Sequence, residues 1–144
     1  MPISGSHAKR MLHGAINIRT GDLALLITDD GTRDSHEAFL RLVRAHWRGG
    51  NLVLFEERAS QHKAARAWAR ECLSIETRFL PKATPELNVM DHLWRHAKRE
   101  TLGDRATLSI EASALAACQY LIDLSPHDRL QKAGVLSGHF WLTL

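Results

Sequence analysis

Short apolar runs of strand length alternate with segments of helical periodicity along this chain, and this order limits the folds available to it. Residues 9–18 and Leu23–Thr28 read as strands, and Thr20-Gly21 between them predicts a hairpin. Residues 52–55 are continuously apolar, as in a strand that is covered on both faces. A hairpin followed by alternating helices and strands predicts an α/β domain with a mixed sheet.

Helices are predicted where apolar residues recur three or four positions apart behind a capping residue. The first begins at Asp34 or Ser35, and the second begins at Ser60 with one apolar stripe formed by Ala64, Trp68 and Cys72. Further helices are predicted over residues 87–100, over residues 110–124, and between Ser125-Pro126 and Gly134. The chain thus divides into a hairpin (9–28), an α/β core (34–100) and C-terminal helices (106–134) within one domain of 144 residues.

Composition excludes several classes of protein. The chain is 44% apolar and 24% charged, which is typical of a globular domain. No apolar run approaches the roughly 18 residues of a membrane span, and the first residues lack the apolar stretch of a signal peptide. Cys72 and Cys118 lie in helical patterns, so both are predicted to be buried thiols. We therefore expect a cytoplasmic protein that does not enter membranes.

Positive charge is unevenly distributed, although the formal net charge is only +3. Residues 1–21, 58–70 and 92–99 contain lysine and arginine but no acidic residue. Clustered bases favour binding to a polyanion such as DNA. Solvated helix surfaces would show the same pattern, so charge alone leaves both interpretations open.

One acidic residue lies in an unusual place. Asp91 follows Leu87 by four positions and precedes Trp94 by three, which puts it beside an apolar stripe. An unpaired carboxylate is costly there. Asp91 is therefore either paired, with Arg95, Lys98 or a backbone amide, or it is a metal ligand.

A second acidic position follows the apolar strand. Neighbouring residues of a strand point to opposite faces, so one of Glu56 and Glu57 could face a cleft near Asp91. Carboxylates from a strand end and a helix suit Mg²⁺, and two such ions can hold the attacking and leaving oxygens of a phosphodiester. A solvated surface pair and a Mg²⁺-dependent phosphotransferase both fit these residues.

Residues 79–98 resemble the signature of mariner-type DDE transposases in their bacterial insertion-sequence branch. That signature reads roughly Leu-Pro-x-x-Ser-Pro-x-Leu-Asn-Pro-[Ile/Met]-[Glu/Asp]-x-Leu-Trp and is followed by a basic helix. Residues 52–62 resemble the strand and loop that carry the second catalytic Asp of the family, and residues 14–21 resemble the preceding hairpin. Residues 132–138 resemble the C-terminus of the branch. The resemblance therefore spans nearly the whole chain.

The resemblance implies a ribonuclease-H-like domain, a mixed sheet flanked by helices, with Mg²⁺ or Mn²⁺ as cofactor. It places the third family carboxylate on Asp91 and the second on Glu57, as catalytic and metal-binding residues. The first family Asp lies on a central strand before the hairpin and has no counterpart here. We therefore expect an N-terminally truncated, C-terminal fragment whose open sheet edge is covered by its own N-terminal segment, by a misregistered strand or by a partner.

The implied activity is cleavage and strand transfer of transposon ends and target DNA. Side chains near the two carboxylates are expected to bind that DNA: Arg58, His62, Lys63, His92, Arg95, Lys98 and Arg99. Because Glu57 is one methylene longer than Asp, we expect little activity from the isolated chain. The alternative is a non-catalytic remnant, associated with the bacterial nucleoid, that binds DNA or an intact transposase, and a homodimer is a further expectation. An unrelated α/β phosphohydrolase is a third alternative.

Overall fold

The fold is given by a computed structural model, which describes residues 1–4, 9–101 and 109–142. Three antiparallel strands come first: β1 (Pro2–Ser4), β2 (Lys9–Ile16) and β3 (Leu23–Thr28), with β2 in the middle. Gly21 adopts a φ of 80°, which favours glycine in the turn between β2 and β3. The predicted hairpin is confirmed, although its first strand ends two residues earlier than expected.

A second sheet consists of two parallel strands, β4 (Leu52–Glu56) and β5 (Ile75–Phe79). Parallel strands need a long crossover connection, and helix α2 (Ser60–Leu73) supplies it. The combination of an antiparallel and a parallel sheet, both flanked by helices, confirms the predicted mixed α/β fold.

The first four residues cover part of the edge of β2. Ile3 lies opposite Arg10, and Met1 exchanges two backbone hydrogen bonds with Leu12, of 2.5 and 2.6 Å. Within the described ranges no strand pairs with β2 beyond this point or with the second edge of β4. Because β2 and β4 line the same two cavities, a gap separates the two sheets there.

Helices cover both sides of the strands. On one side α1 (Arg33–His46) packs with α2 around a core that includes Phe39 and Ala65. On the other side α3 (Val89–Thr101), α4 (Ile110–Asp123) and α5 (Pro126–Lys132) enclose a core that includes Leu12, Leu93 and Trp94. No helix in the described part of the chain is long and apolar enough to span a membrane.

Three helix boundaries differ from those predicted. Thr32, not Asp34 or Ser35, caps α1, because its hydroxyl accepts a hydrogen bond from the Ser35 amide. The N-cap of α2 is Ala59, so Ser60 is the first helical residue and not the cap. A short 3-10 turn at Pro85–Leu87 precedes α3, which delays the start of that helix to Val89. Residues 106–108 of the predicted C-terminal helical segment lie outside the described residues.

The buried stripe of α2 is rotated by one residue from the predicted one. Ala65 and Ala69 are fully buried, and their small side chains let α2 approach its neighbours closely. Cys72 is consequently exposed, so the prediction of a buried thiol is wrong there. Cys118 is buried as predicted, and burial raises the pKa of its thiol.

Candidate active site

A cavity of about 370 Å³ lies between β2 and the carboxyl end of β4. Three carboxylate residues line it: Glu56, Glu57 and Asp91. The cavity opens where the edges of the two sheets are not paired to each other, so its walls come from both sheets and from helix α3. Polar side chains that are far apart in sequence therefore line the same cavity.

Glu56 and Glu57 both line this cavity, although strand alternation predicts opposite faces for them. The reason is that β4 ends at Glu56, so Glu57 lies beyond the regular pleat of the strand. Glu56 is largely buried, and its Oε1 atom has no hydrogen-bond partner in the described structure. Glu57 is exposed and can reach solvent or a ligand in the cavity.

Asp91 reaches the cavity from the first turn of α3, where the helix dipole favours a negative charge. Its backbone amide donates a 3.3 Å hydrogen bond to Asn88 Oδ1, which fixes the start of the helix. In the described ranges Asp91 forms no ion pair with Arg95 or Lys98, the basic partners considered from sequence. Its carboxylate is half-buried and lines the cavity.

The Met1 amino group is affected by the negative charges of both Asp91 and Glu57. Burial lowers the pKa of this amine below its ordinary value, whereas the nearby charges of Asp91 and Glu57 act in the opposite direction. Both carboxylates therefore favour a positive charge at the same place in the cavity.

The donor set fits a hard divalent cation. Mg²⁺ and Mn²⁺ prefer oxygen ligands, and Mg²⁺ retains several water molecules when it is bound by only one or two carboxylates. Glu57 and Asp91 supply two carboxylates on an open cavity that has room for water.

Two histidines lie beside Glu56. His36 Nε2 is 3.4 Å and His62 Nδ1 is 3.7 Å from Glu56 Oε2. His62 Nδ1 also donates a 2.8 Å hydrogen bond to the Glu57 carbonyl oxygen. His62 was expected from sequence to contact DNA, whereas His36 was not expected at the site. The sequence could have indicated His36, because this histidine lies on the apolar stripe of α1. Phe39 follows it by three residues and Leu40 by four.

The other predicted DNA-binding residues lie in the loop after β4 and on helices α2 and α3, beside the residues that line the cavity. Arg58 and Lys63 are exposed just after β4 and in the first turn of α2. His92 is half-buried, and its Nε2 atom donates to the Glu86 carbonyl oxygen at 2.8 Å. The remaining three are exposed along α3: Arg95, Lys98 and Arg99.

The fold and the site together define a class: an α/β domain with carboxylates at a strand end and at a helix start that line one open cavity. The sequence model of the family described as DDE superfamily endonuclease matches residues 3–112, and the chain belongs to this family. No curated protein and no solved structure matches the chain. The family generally uses a divalent metal and acts on DNA.

Proposed function

We propose that the chain is a catalytic domain of a mariner-type DDE transposase from the bacterial insertion-sequence branch, acting on phosphodiester bonds of transposon ends and target DNA. The hairpin (9–28), the α/β core (34–100) and the C-terminal helices (106–134) are parts of that one domain. The observation that supports this most is the meeting of Glu57 and Asp91, 34 positions apart (91 − 57), on a single cavity.

In this proposal the carboxylates of Glu57 and Asp91 hold Mg²⁺ or Mn²⁺. A bound ion polarises the scissile phosphate and activates the attacking oxygen. Asn88 fixes the first turn of α3 and so the direction from which Asp91 enters the cavity. Arg58 and Lys63, exposed beside the strand end, neutralise phosphates of the DNA backbone.

We further propose that the isolated chain turns over slowly. The Glu57 carboxylate stands one methylene further from the backbone than that of the family Asp, and a misplacement of about 1 Å can reduce a rate by about 100-fold. In addition, β1 pairs with β2 as a central strand would, yet its residues Pro2–Ser4 carry no carboxylate.

Nicking of supercoiled plasmid in Mg²⁺ or Mn²⁺ tests the proposal without knowledge of the transposon ends. We expect weak nicking by the natural chain, an increase with Glu57→Asp and loss with Asp91→Asn. Glu71→Gln, which removes an exposed acid from α2 outside the cavity, is the matched control and should change nothing. Nicking that survives Asp91→Asn would overturn the assignment of the site, and robust nicking by the natural chain would overturn its proposed low activity.

A second candidate is a non-catalytic role in which the chain binds DNA, alone, as a homodimer or together with an intact transposase on the nucleoid. It is favoured by exposed basic residues in the loop after β4 and on helices α2 and α3: Arg58, Lys63, Arg95, Lys98 and Arg99. If about four of them contact phosphates, affinity should fall about 100-fold between 50 and 200 mM salt.

Gel-shift titrations at several salt concentrations measure this effect. Arg58→Ala and Lys98→Ala should each reduce the salt slope by about one. Arg48→Ala is the control, because this exposed arginine lies beyond the C-terminal end of α1, about 18 Å along the helix axis from His36 in the cavity wall. A slope that responds equally to all three substitutions would refute a DNA surface around the cavity, whereas binding without nicking would favour the non-catalytic role.

A further inference from the structure

We propose that His36, Glu56 and His62 form a binding site for a divalent transition-metal ion of the Zn²⁺ type, separate from the carboxylate pair Glu57 and Asp91. The three residues come from α1, from the end of β4 and from the first turn of α2. Each offers one ligand atom, and these atoms lie within 4.8 Å of one another. The proposal does not depend on the nuclease function.

The distances are close to those that one ion would impose. Two ligand atoms bound to Zn²⁺ at about 2.1 Å are about 3.4 Å apart at the tetrahedral angle. His36 Nε2 and Glu56 Oε2 are already 3.4 Å apart. The rings of His36 and His62 are tilted by 31° to each other with centroids 4.2 Å apart, so His62 has to rotate before both rings can point at one ion.

Two polar atoms of this group lack a hydrogen-bond partner in the described structure. The His36 side chain is 97% buried, since its relative exposure is 3%, yet its Nε2 atom makes no hydrogen bond. Glu56 Oε1 is buried and has no partner either. A buried nitrogen and a buried carboxylate oxygen without hydrogen bonds are unfavourable. A cation held by His36 Nε2 and the Glu56 carboxylate would give both groups a partner.

One ring nitrogen of His62 is free to bind a metal. A carbonyl oxygen can only accept a hydrogen bond, so the 2.8 Å contact with the Glu57 carbonyl places a proton on Nδ1. The other ring nitrogen, Nε2, is then available to a metal. Metal-bound histidines usually donate their second nitrogen in this way, which fixes the orientation of the ring.

The ligand types decide which ion the site would select. Two imidazoles and one carboxylate suit Zn²⁺ and its first-row neighbours, whereas Mg²⁺ prefers oxygen ligands only. All three residues line the cavity of about 370 Å³, which gives an ion a path from solvent. A bound ion would also connect α1, β4 and α2 and so stabilise the fold.

Calorimetric titration of the tag-free, metal-stripped full chain with Zn²⁺ tests the site, and Co²⁺ serves as a spectroscopic probe of its coordination. We expect one ion per chain and a Tm higher by about 5–10 °C when Zn²⁺ exceeds its Kd about 100-fold. Glu56→Gln and His62→Gln should each weaken binding by about 100-fold or more. A large excess of Mg²⁺ should not displace the ion.

Two control variants separate this site from other sites. His127→Gln removes an exposed histidine on α5, and Asp91→Asn removes the carboxylate on α3. Neither should change the affinity for Zn²⁺. Loss of binding in Asp91→Asn with normal binding in His62→Gln would overturn the proposal, as would loss in His127→Gln or the absence of stoichiometric binding.

A measurement on the unaltered chain covers the case in which a variant fails to fold. One equivalent of Zn²⁺ should shift the imidazole NMR signals of His36 and His62 and leave those of His127 in place. Shifts confined to His127 or to other surface histidines would overturn the proposal. The same titration with Mg²⁺ should leave the His36 signal unchanged.

Discussion

Replacing Gly14 by alanine tests how closely α3 is packed against β2. A Cβ atom on Gly14 would lie 2.5 Å from Met90 Cε, 2.9 Å from Trp94 Cζ2 and 3.0 Å from Leu25 Cδ2. Met90 Cε is the end of a flexible side chain and can move, but the Trp94 ring is buried and cannot turn away. Because carbon atoms pack at about 3.5 Å or more, β2 and α3 must separate by about 0.5 Å.

We expect Gly14→Ala to lower the free energy of unfolding by about 1–3 kcal/mol, the usual cost of overpacking a core. For a chain of this size, that is a decrease in Tm of about 3–12 °C. Adding Met90→Ala should recover only part of the loss, because the contact with Trp94 remains. Urea unfolding followed by tryptophan fluorescence measures the natural chain and both variants.

Gly49→Ala is the matched control for this experiment. A Cβ atom on Gly49 meets nothing within 4 Å. The substitution should therefore leave the stability unchanged or raise it by about 0.4–1 kcal/mol, through the lower entropy of the unfolded chain. Equal unfolding free energies for Gly14→Ala and Gly49→Ala would refute the close packing of α3 on β2. Since Asp91 moves with α3, Gly14→Ala should also reduce any nicking of DNA.

Two further predictions concern single positions. Ser74 ends α2 with a φ of 54°, a left-handed conformation that favours glycine. Ser74→Gly should therefore raise the free energy of unfolding in urea by about 0.5–1 kcal/mol. An equally large gain with Ser74→Ala would contradict this explanation. Burial above all, and then the Met1 amino group, lowers the pKa of His13 to about 4, below the ordinary 6.5. Its contribution to stability is therefore complete above pH 6.5 and is lost as the pH falls towards 4, by about 1–2 kcal/mol after allowance for solvent screening. His13→Gln can still form a hydrogen bond with the Thr28 hydroxyl, and it should weaken the pH dependence of the free energy of unfolding in this range. An unchanged pH dependence would show that another group is responsible.

Local signals in the sequence predict the elements well where they agree with one another. Ser125, Pro126 and Gly134 define α5 correctly, because capping, a first-turn proline and a terminal glycine act within a few residues. In α2, by contrast, alanines at 64, 65, 67 and 69 make the apolar stripe ambiguous. Packing against α1 and β5 selects Ala65 and Ala69, and this choice depends on tertiary structure that the local pattern does not contain.

In the site, too, the local sequence predicts some residues, whereas others are brought together only by the tertiary structure. The placement of Asp91 beside the apolar stripe and the motif around it predict that it faces a cleft, and it lines the cavity. The sequence did not predict His36, because its contact is with Glu56, which lies 20 positions away (56 − 36) and on a different element. A histidine on an apolar helix stripe is more often a satisfied core residue than a ligand. Only the unpartnered Nε2 atom distinguishes the two, and that is a property of the folded chain.

The end of β4 supplies two donor sets of different chemistry from adjacent residues. Glu57 and Asp91 offer oxygen ligands alone, whereas Glu56 works with two imidazoles. The sets are joined through the main chain, because the Glu57 carbonyl orients His62. A change in the Glu57 side chain leaves that carbonyl in place. Glu57→Gln should therefore alter DNA nicking but not the affinity for Zn²⁺, and a loss of both would mean that the two sets act as one site.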